Sequence, residues 1–504
     1  MPVNLAAMIE TPPDDAVALV SRGRTTTYGE LREQVAALRG GLSGLGVTRG
    51  DRVAVVCANN WYFVVSYLAT LGLGAVVTPL NPLSPTAELE NELASVRAKV
   101  AVVGPSARRA IAELDRSRLD SLETIVLCDG EPDGDGVNIA SLLTAEPLPL
   151  TDVDPDDLAV LIFTSGTAGR PKAARLSHGN ITANIEQLLQ VDGASVDTAD
   201  VGLGVLPLFH IYGLTVVLGL TFATGSSVVL VERFDPQSII TTIVERGVTV
   251  LPGVPAMWMA LANLPGVPPG AFAQVRVATS GADRLPTEVA ERIADRFGLI
   301  VREGYGLTEA SPVVTSSIGH EARLGSVGRP LPGVHVRVVD VDGADVLVGD
   351  TGEIRVSGPN VFGGYWEDDE ATAAVLDADG WLHTGDLAVV DEAGNLTLVD
   401  RAKDLIIVSG FNVYPAEVEE VLLAHPAVVG CAVVGVPHPY SGEAVKAYVI
   451  VEGAASVEED EIIAWCADRL ARYKCPEKVM FVDKLPVGLS GKVLRRELSE
   501  AAGS

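Results

Sequence analysis

Leu158-Ala-Val-Leu-Ile-Phe163 runs directly into Thr164-Ser-Gly-Thr-Ala-Gly-Arg-Pro-Lys172, an apolar segment ending in a loop of glycines and hydroxyls closed by a lysine. Six consecutive apolar residues predict a strand buried on both faces, as in parallel sheets. A loop at the end of such a strand lies where α/β folds bind ligands. Gly166 and Gly169 let backbone N–H groups turn inward as an anion nest. Thr164, Ser165 and Thr167 add hydroxyl donors, and Lys172 adds a mobile positive charge. This combination suits a polyphosphate. It is not a Walker loop, because the Gly-x-x-x-x-Gly-Lys-Ser/Thr order is absent and the lysine follows a proline. Taken alone, the segment also reads as an ordinary Gly/Ser/Thr turn.

Working outward, apolar strands alternate with amphipathic helices. Thr27-Tyr-Gly-Glu-Leu starts a helix predicted to run to about Leu45, and strands are expected at Ala101–Val103, Thr124–Leu127, Ser227–Val231 and Val248–Leu251. The pattern predicts layered α/β sheets. Residues 129–155, rich in Asp, Glu, Gly and Pro, read as a solvated connection. From Gly325 the strands shorten (His335–Val339, Gly352–Val356, Leu396–Val399), which predicts a small β subdomain. Asp400–Asp404 is a charged segment between two apolar strands. Beyond it, a helix at Ala416–Ala424, strands at Val428–Val436 and Lys446–Val451, and a helix at Glu458–Ala471 form a compact α+β unit. The expected organisation is a large N-terminal domain over residues 1–400, a hinge at 401–404, and a smaller, mobile C-terminal domain over 405–504.

A chain of 504 residues exceeds what one core usually supports. With 66 acidic and 37 basic residues its net charge is −29, which excludes a nucleic-acid partner, since a polyanion is repelled over most of the surface. No lysine occurs between Lys172 and Lys403, so each lysine inside a motif stands out. Cys57, Cys128, Cys431, Cys466 and Cys475 are odd in number and scattered, which suits reduced thiols in a cytoplasmic setting. The first twenty residues lack a basic-then-apolar leader pattern. Val53–Ala87 and Val201–Val231 carry almost no charge and are long enough to span a membrane. Prolines, asparagines and glycines interrupt both, so they are expected inside a buried α/β layer, and only loose membrane association is left open.

Further motifs follow in order: Pro207-Leu-Phe-His210, Ser280-Gly-Ala282, Tyr305-Gly-Leu-Thr-Glu309, Gly380-Trp-Leu-His-Thr-Gly-Asp386, Asp400-Arg-Ala-Lys-Asp404 continuing to Pro415, and Gly491-Lys492. In order and spacing these resemble the adenylate-forming superfamily of acyl-CoA synthetases, adenylation domains and beetle luciferases, over nearly the whole chain. The resemblance implies ATP, Mg2+ and CoA as co-substrates and cofactor, with a small carboxylic acid as partner. The acid attacks the α-phosphate of ATP to give an acyl-adenylate and pyrophosphate, and a thiol then displaces AMP.

By that resemblance the 164–172 loop holds the β- and γ-phosphates; Ala168 replaces a usual hydroxyl residue and Ala173 a usual glycine. Tyr305 offers a flat face to adenine and Gly306 permits close approach. Thr308 offers a hydroxyl to the α-phosphate or the carboxylate, and Glu309 is a hard oxygen ligand for Mg2+. In isolation, Thr308 before an acidic turn also reads as a helix N-cap. Asp386 accepts both ribose hydroxyls, and Arg401 reaches ribose or phosphate with its fork of donors. Lys492 bridges the attacking carboxylate and the α-phosphate. Lys403 is the pivot of the C-terminal domain, and Ser409, Gly410 and Phe411 flank the thiol tunnel. His210 lies at the mouth of the acyl pocket, while Ser280, Gly281 and Ala282 lie under adenine and beside that pocket. Val254, Met257 and Trp258 are candidates to line it.

The segment Asp404–Pro415 is similar to bacterial fatty acid–CoA ligases. His210 stands where amino-acid adenylation domains carry an aspartate, and without that carboxylate an ammonium would be buried unpaired. The expected activity is therefore AMP-forming ligation of a medium- or long-chain fatty acid to CoA. Delivery to a carrier protein and activation of an aromatic acid are the alternatives.

Overall fold

The computed structural model describes residues 1–130, 136–164, 172–193, 196–321, 323–401, 404–409, 411–438, 441–451, 457–487 and 493–502. The opening strand Leu158–Thr164 lies in a seven-stranded sheet. From one edge its order is Val137–Asn138, Thr124–Leu127, Val100–Val103, Arg52–Val56, Val76–Pro79, Leu158–Thr164 and Lys172–Ser177, parallel except for the last pair. Alternation along each strand buries both faces. Val53, Val55, Val100 and Val102 join one apolar cluster, and Ala54, Val56, Ala101 and Val103 join another.

A nine-stranded sheet shares the larger of those clusters. Its order is Arg329–Pro330, Val313–Ser316, Arg302–Gly306, Val277–Ser280, Val250–Gly253, Val201–Gly204, Ser227–Leu230, Val17–Ser21 and Arg24–Thr27, parallel from Arg302–Gly306 to Val17–Ser21. Helix Tyr28–Gly44 starts at a capping box: the Thr27 hydroxyl accepts from Glu30 N–H while the Glu30 carboxylate accepts from Thr27 N–H. The charge-free stretch at 53–87 resolves into strand, helix Trp61–Gly72 and strand, the helix capped by the Asn60 carbonyl. No helix among the described residues is long and apolar enough to cross a membrane.

The short strands beyond Gly325 form an antiparallel sheet, His335–Val339, Thr351–Ser357, Leu382–Val390 and Leu396–Arg401, in that order. The smaller C-terminal lobe pairs Gly442–Val451 with Val428–His438, Ile406–Val408 and Lys478–Phe481. Helices Pro415–Leu423 and Glu459–Ala467 cover one face. The terminal helix Arg495–Ala502 packs on the other through Leu498, whose carbonyl accepts from the Tyr448 hydroxyl at 2.9 Å.

The elements depart from the sequence reading at four places. Strand Val250–Gly253 starts later than expected, because Val248 N–H still closes the preceding helix on Ile243 O. Helix Glu459–Ala467 ends early, where Cys466 O accepts from both Arg469 and Leu470 N–H. The connection at 129–155 is not wholly solvated, since Ile139 and Leu142 are buried on a short helix. Met257 and Trp258 are core residues and do not line the pocket. The Trp258 indole is 1% exposed and donates to Thr279 O at 3.1 Å.

Among the described residues, the buried carboxyls of Glu92 and Glu303 form no salt bridge. Burial, reinforced by Glu88, pushes Glu92 up to about 8. Burial pushes Glu303 up to about 7, against hydrogen bonds from Leu285 and Gly325 N–H and the charge of Arg284. A carboxyl that binds its proton more tightly when folded contributes stability that is full below its unfolded pKa and is lost as pH rises through the folded value. Glu92→Gln should therefore melt higher than wild type at pH 8.5 and match it near pH 4.5; an equal difference at both pH values would contradict this. Trp258→Ala should cost about 3–5 kcal/mol while leaving the ranking of acid substrates unchanged, as read by denaturation and a pyrophosphate-release panel.

Candidate active site

The sheet ends and the C-terminal lobe enclose a cleft of about 1780 Å³. Thr164, Lys172, His210, Ser280, Gly281, Ala282, Tyr305, Gly306, Thr308, Glu309 and Asp386 all line it. Ser165, Gly166, Thr167, Gly169, Lys403, Gly410 and Lys492 lie outside the described residues, as does the side chain of Arg401. The stems of both loops are nonetheless placed. Thr164 and Lys172 are register partners that close the phosphate-type loop. Val487 and Val493 form a bridge, with Leu494 N–H on Pro486 O at 2.8 Å, and so close the loop bearing Lys492. Val487, Val493, Leu494 and Arg495 all face the cleft.

At one end, strand Arg302–Gly306 delivers Tyr305 against strand Leu382–Val390. The Tyr305 hydroxyl donates to Asp386 Oδ2 at 2.7 Å. Asp386 sits on a Thr-Gly-Asp turn in which Gly385 takes φ +70 and the Thr384 hydroxyl accepts from Asp386 N–H at 3.1 Å. Asp386 and Arg401 are register partners on adjacent strands, so their backbones are adjacent. The close approach at Gly306 comes from Pro312, since a Cβ there would sit 2.2 Å from Pro312 O. The N-cap reading of Thr308 fails: Leu307 occupies that position, Thr308 opens a single 3₁₀ turn, and its side chain faces the cleft.

Sequence reasoning missed Tyr365. Its hydroxyl donates to Glu309 Oε1 at 2.6 Å, and its ring lies 5.1 Å below Lys172 Nζ. Burial, then the Glu309 charge, push this phenol well above its usual range. The available signal was Gly363-Gly364 ahead of two aromatics. Glu309 Oε2 has no hydrogen bond among the described residues. An anionic oxygen left uncommitted in a cleft suits a hard cation such as Mg2+, and the described residues contain no cluster of three ligating side chains that would hold a metal without the nucleotide.

A second arm of the cleft is mainly apolar, lined by Val216, Leu220, Val250, Val254 and Met259. Its roof is a π-helix, Tyr212–Gly219, an uncommon geometry often found at functional sites. His210 precedes it, and its Nδ1 accepts from Tyr212 N–H at 3.2 Å. The Tyr212 hydroxyl and Thr279 Oγ1 are 3.2 Å apart, and burial pushes that phenol up to about 12. A Cβ on Gly281 would meet the Tyr212 ring at 3.1 Å, so glycine makes room for the ring. The buried Ser280 Oγ has no hydrogen-bond partner among the described residues.

On the C-terminal lobe, Ser409 takes φ +51 and, with residue 410, joins the register partners Val408 and Phe411. Neither Ser409 nor Phe411 lines the cleft. Phe411 is exposed and stacks on Tyr473, ring centroids 4.9 Å apart. Two contacts bring this lobe to the N-terminal one: Arg284 to Glu420 at 2.9 Å, and Ala416 N–H to Asp400 Oδ2 at 3.0 Å. Half-buried Glu419 receives Arg495 Nη2 on both oxygens, at 2.9 and 2.7 Å, which ties the end of the 488–492 loop to helix Pro415–Leu423.

Comparison with known proteins agrees with this architecture. The AMP-binding enzyme family model matches residues 5–366, and the AMP-binding enzyme C-terminal domain matches residues 417–492. A feruloyl-CoA synthase from an Amycolatopsis species is 40% identical over 97% of this chain and 96% of its own length. A long-chain-fatty-acid–CoA ligase of Bacillus subtilis is 34% identical over 96% of this chain and 92% of its own. The crystal structure of ATP-bound MatB from Rhodopseudomonas palustris superposes with a TM-score of 0.91 at 35% identity, covering 99% of both chains. With its nucleotide-side residues gathered in one cleft and family matches over both lobes, the chain belongs to the AMP-binding enzymes.

Proposed function

We propose that this protein is an AMP-forming acid–CoA ligase whose acid is an aromatic carboxylate carrying a ring hydroxyl. The observation that carries the choice of acid is the Tyr212–Thr279 hydroxyl pair on a cleft whose lining also includes the apolar Val216, Leu220, Val250, Val254 and Met259. A flat ring fills apolar walls, and its hydroxyl finds donors and acceptors in that pair; a site built to hydrogen-bond a hydroxyl discriminates against analogues lacking it. The likeness to a feruloyl-CoA synthase supports this reading. The aliphatic reading retains the apolar lining and the likeness to a long-chain-fatty-acid–CoA ligase as its support.

In this reading Tyr305 stacks on adenine and Asp386 takes the ribose hydroxyls, helped by Arg401. Thr164, Ser165, Gly166, Thr167, Gly169 and Lys172 hold the β- and γ-phosphates, and Thr308 steadies the α-phosphate. Magnesium, held by Glu309 and the nucleotide, supplies charge neutralisation at the phosphates when bound. A carboxylate oxygen of the acid attacks the α-phosphorus while its bond to pyrophosphate breaks. Lys492 places positive charge where negative charge builds. His210 closes the acyl arm on the side of the reacting carboxylate. Rotation of residues 405–504 about a hinge at 401–404, pivoting at Lys403, then brings Ser409, Gly410 and Phe411 to the cleft. The CoA sulfur attacks the acyl carbon and AMP leaves. Free cysteines, five in number, fit a reducing, cytoplasmic setting.

A pyrophosphate-release panel of ferulate, coumarate, cinnamate, octanoate and palmitate, with and without CoA, tests the assignment. Ferulate or coumarate should lead; a preference for palmitate or octanoate would overturn the aromatic reading. Tyr212→Phe should lower kcat/KM for the hydroxylated acids about tenfold and leave cinnamate within twofold. Lys492→Ala should cripple acid-dependent pyrophosphate release yet spare thioester formation from synthetic acyl-adenylate. Equal loss in both half-reactions would refute its role.

A further inference from the structure

The segment Val361-Phe-Gly-Gly-Tyr-Trp366 joins two parts of the nucleotide end that are far apart in sequence. It runs beside the second hairpin strand: Arg175 N–H donates to Gly364 O at 3.0 Å, Trp366 N–H donates to Ala173 O at 2.8 Å, and Tyr365 bridges Ala174. It also holds the turn carrying Glu309, because Phe362 N–H donates to Glu309 O at 2.8 Å. The Tyr365 side chain completes the link, with its hydroxyl on Glu309 Oε1 and its ring under Lys172 Nζ. Gly364, at φ +99, and the Thr372 hydroxyl, which accepts from Tyr365 N–H at 2.9 Å, fix the backbone from which the ring projects. Phe362 meets the same ring edge-on at 5.0 Å.

We propose that Tyr365 is the positioning residue of the metal–nucleotide site: its hydroxyl fixes one oxygen of Glu309 so that the other faces the metal, and its ring seats Lys172 toward the phosphates. This rests on the reading of Glu309 as a metal ligand given above. A neutral donor suits the task, because it orients the carboxylate without cancelling its charge, whereas a lysine or arginine at the same place would compete with the metal. The ring's negative face holds the ammonium without an anion that would compete with phosphate. One side chain thereby couples the geometry of the loop cation to that of the metal ligand.

The test is nucleotide binding in the absence of acid, by calorimetry and by the electron paramagnetic resonance of Mn2+, on the full chain. Wild type should bind Mn2+–ATP more tightly than ATP in EDTA; if it does not, the metal reading of Glu309 fails before the role of Tyr365 is reached. Tyr365→Phe should raise the Kd for Mn2+–ATP about tenfold, shift the Mg2+ requirement of pyrophosphate release upward, and leave binding in EDTA within twofold. Tyr365→Leu should also weaken binding in EDTA, since Lys172 loses its seat. In a Glu309→Gln background, Tyr365→Phe should add little further loss. The proposal is overturned if Tyr365→Phe binds Mn2+–ATP like wild type, if it weakens metal-bound and metal-free nucleotide equally, or if its effect is fully additive with Glu309→Gln.

Discussion

A strongly acidic chain has to hold a polyanionic nucleotide, and the arrangement of the cleft follows from that electrostatic constraint. The protein carries a net charge of −29, and its cleft is lined by Glu88, Glu92, Glu303, Glu309, Glu353, Asp386 and further carboxyls. Two of the arginines that reach the cleft are committed, Arg284 to Glu420 and Arg495 to Glu419. Lys172 is different, because it leans on an aromatic ring and forms no ion pair among the described residues. Like charges a few ångströms apart repel strongly at the low effective dielectric of a cleft. Phosphate charge therefore has to be met by donors and cations other than those two arginines. Both loops that matter here, 165–171 and 488–492, are closed by placed β stems that face this space.

The fold supplies the rigidity those loops need. The strand before the first loop is buried at Ala159–Ile162 between a parallel and an antiparallel neighbour, which fixes it up to the half-buried Phe163 and Thr164 at the cleft. The second loop's far end is anchored in the C-terminal lobe by a half-buried Glu419–Arg495 pair. Burial raises the Glu419 carboxyl, while the Arg495 charge and hydrogen bonds pull it back down. Removing one partner of such a pair leaves a buried charge uncompensated, which costs more than the pair itself contributes. By contrast, the Arg284–Glu420 contact between the lobes is largely exposed, so it is weak and readily broken. The C-terminal lobe is thus held together internally more firmly than this contact holds it to the N-terminal lobe.

Much of this was legible in the sequence because it depends on local pattern. Apolar runs bounded by polar turns located the strands at 52–57, 75–80 and 158–163 within a residue or two, and Thr27 with Glu30 announced a helix start. The described motif residues, Thr164, Lys172, His210, Ser280, Tyr305, Thr308, Glu309 and Asp386 among them, line one cleft. What stayed hidden depends on topology. Tyr365 and Glu309 are 56 residues apart, and Arg495 and Glu419 are 76 apart, so no window of sequence contains either pair. Trp258 misled for a related reason. An aromatic in a greasy run suits a pocket wall or a core equally well, and only the neighbouring Gly253 and Thr279 carbonyl show that it points inward. Cys57 and Cys128, scattered in sequence, likewise meet in a thiol–thiol hydrogen bond at 3.7 Å and remain free of a disulfide.

Three tyrosines show how the site reconciles orientation with charge. Tyr305 donates to Asp386, Tyr365 donates to Glu309, and Tyr212 shares a hydrogen bond with Thr279. Each ring forms part of the cleft wall, and each hydroxyl meets a polar group whose direction matters to a ligand. A phenol is long, has few rotatable bonds and is neutral at physiological pH, and burial of Tyr212 and Tyr365 keeps those hydroxyls protonated. A neutral donor of this kind orients a carboxylate without adding a positive charge beside it. An arginine would hold it more firmly but would satisfy both oxygens and neutralise it. In a cleft where carboxylates are plentiful, the uncharged donor orients a carboxylate and leaves its charge available. The two ends differ in the partner of the hydroxyl: at Tyr305 and Tyr365 it meets a carboxylate, and at Tyr212 it meets another hydroxyl.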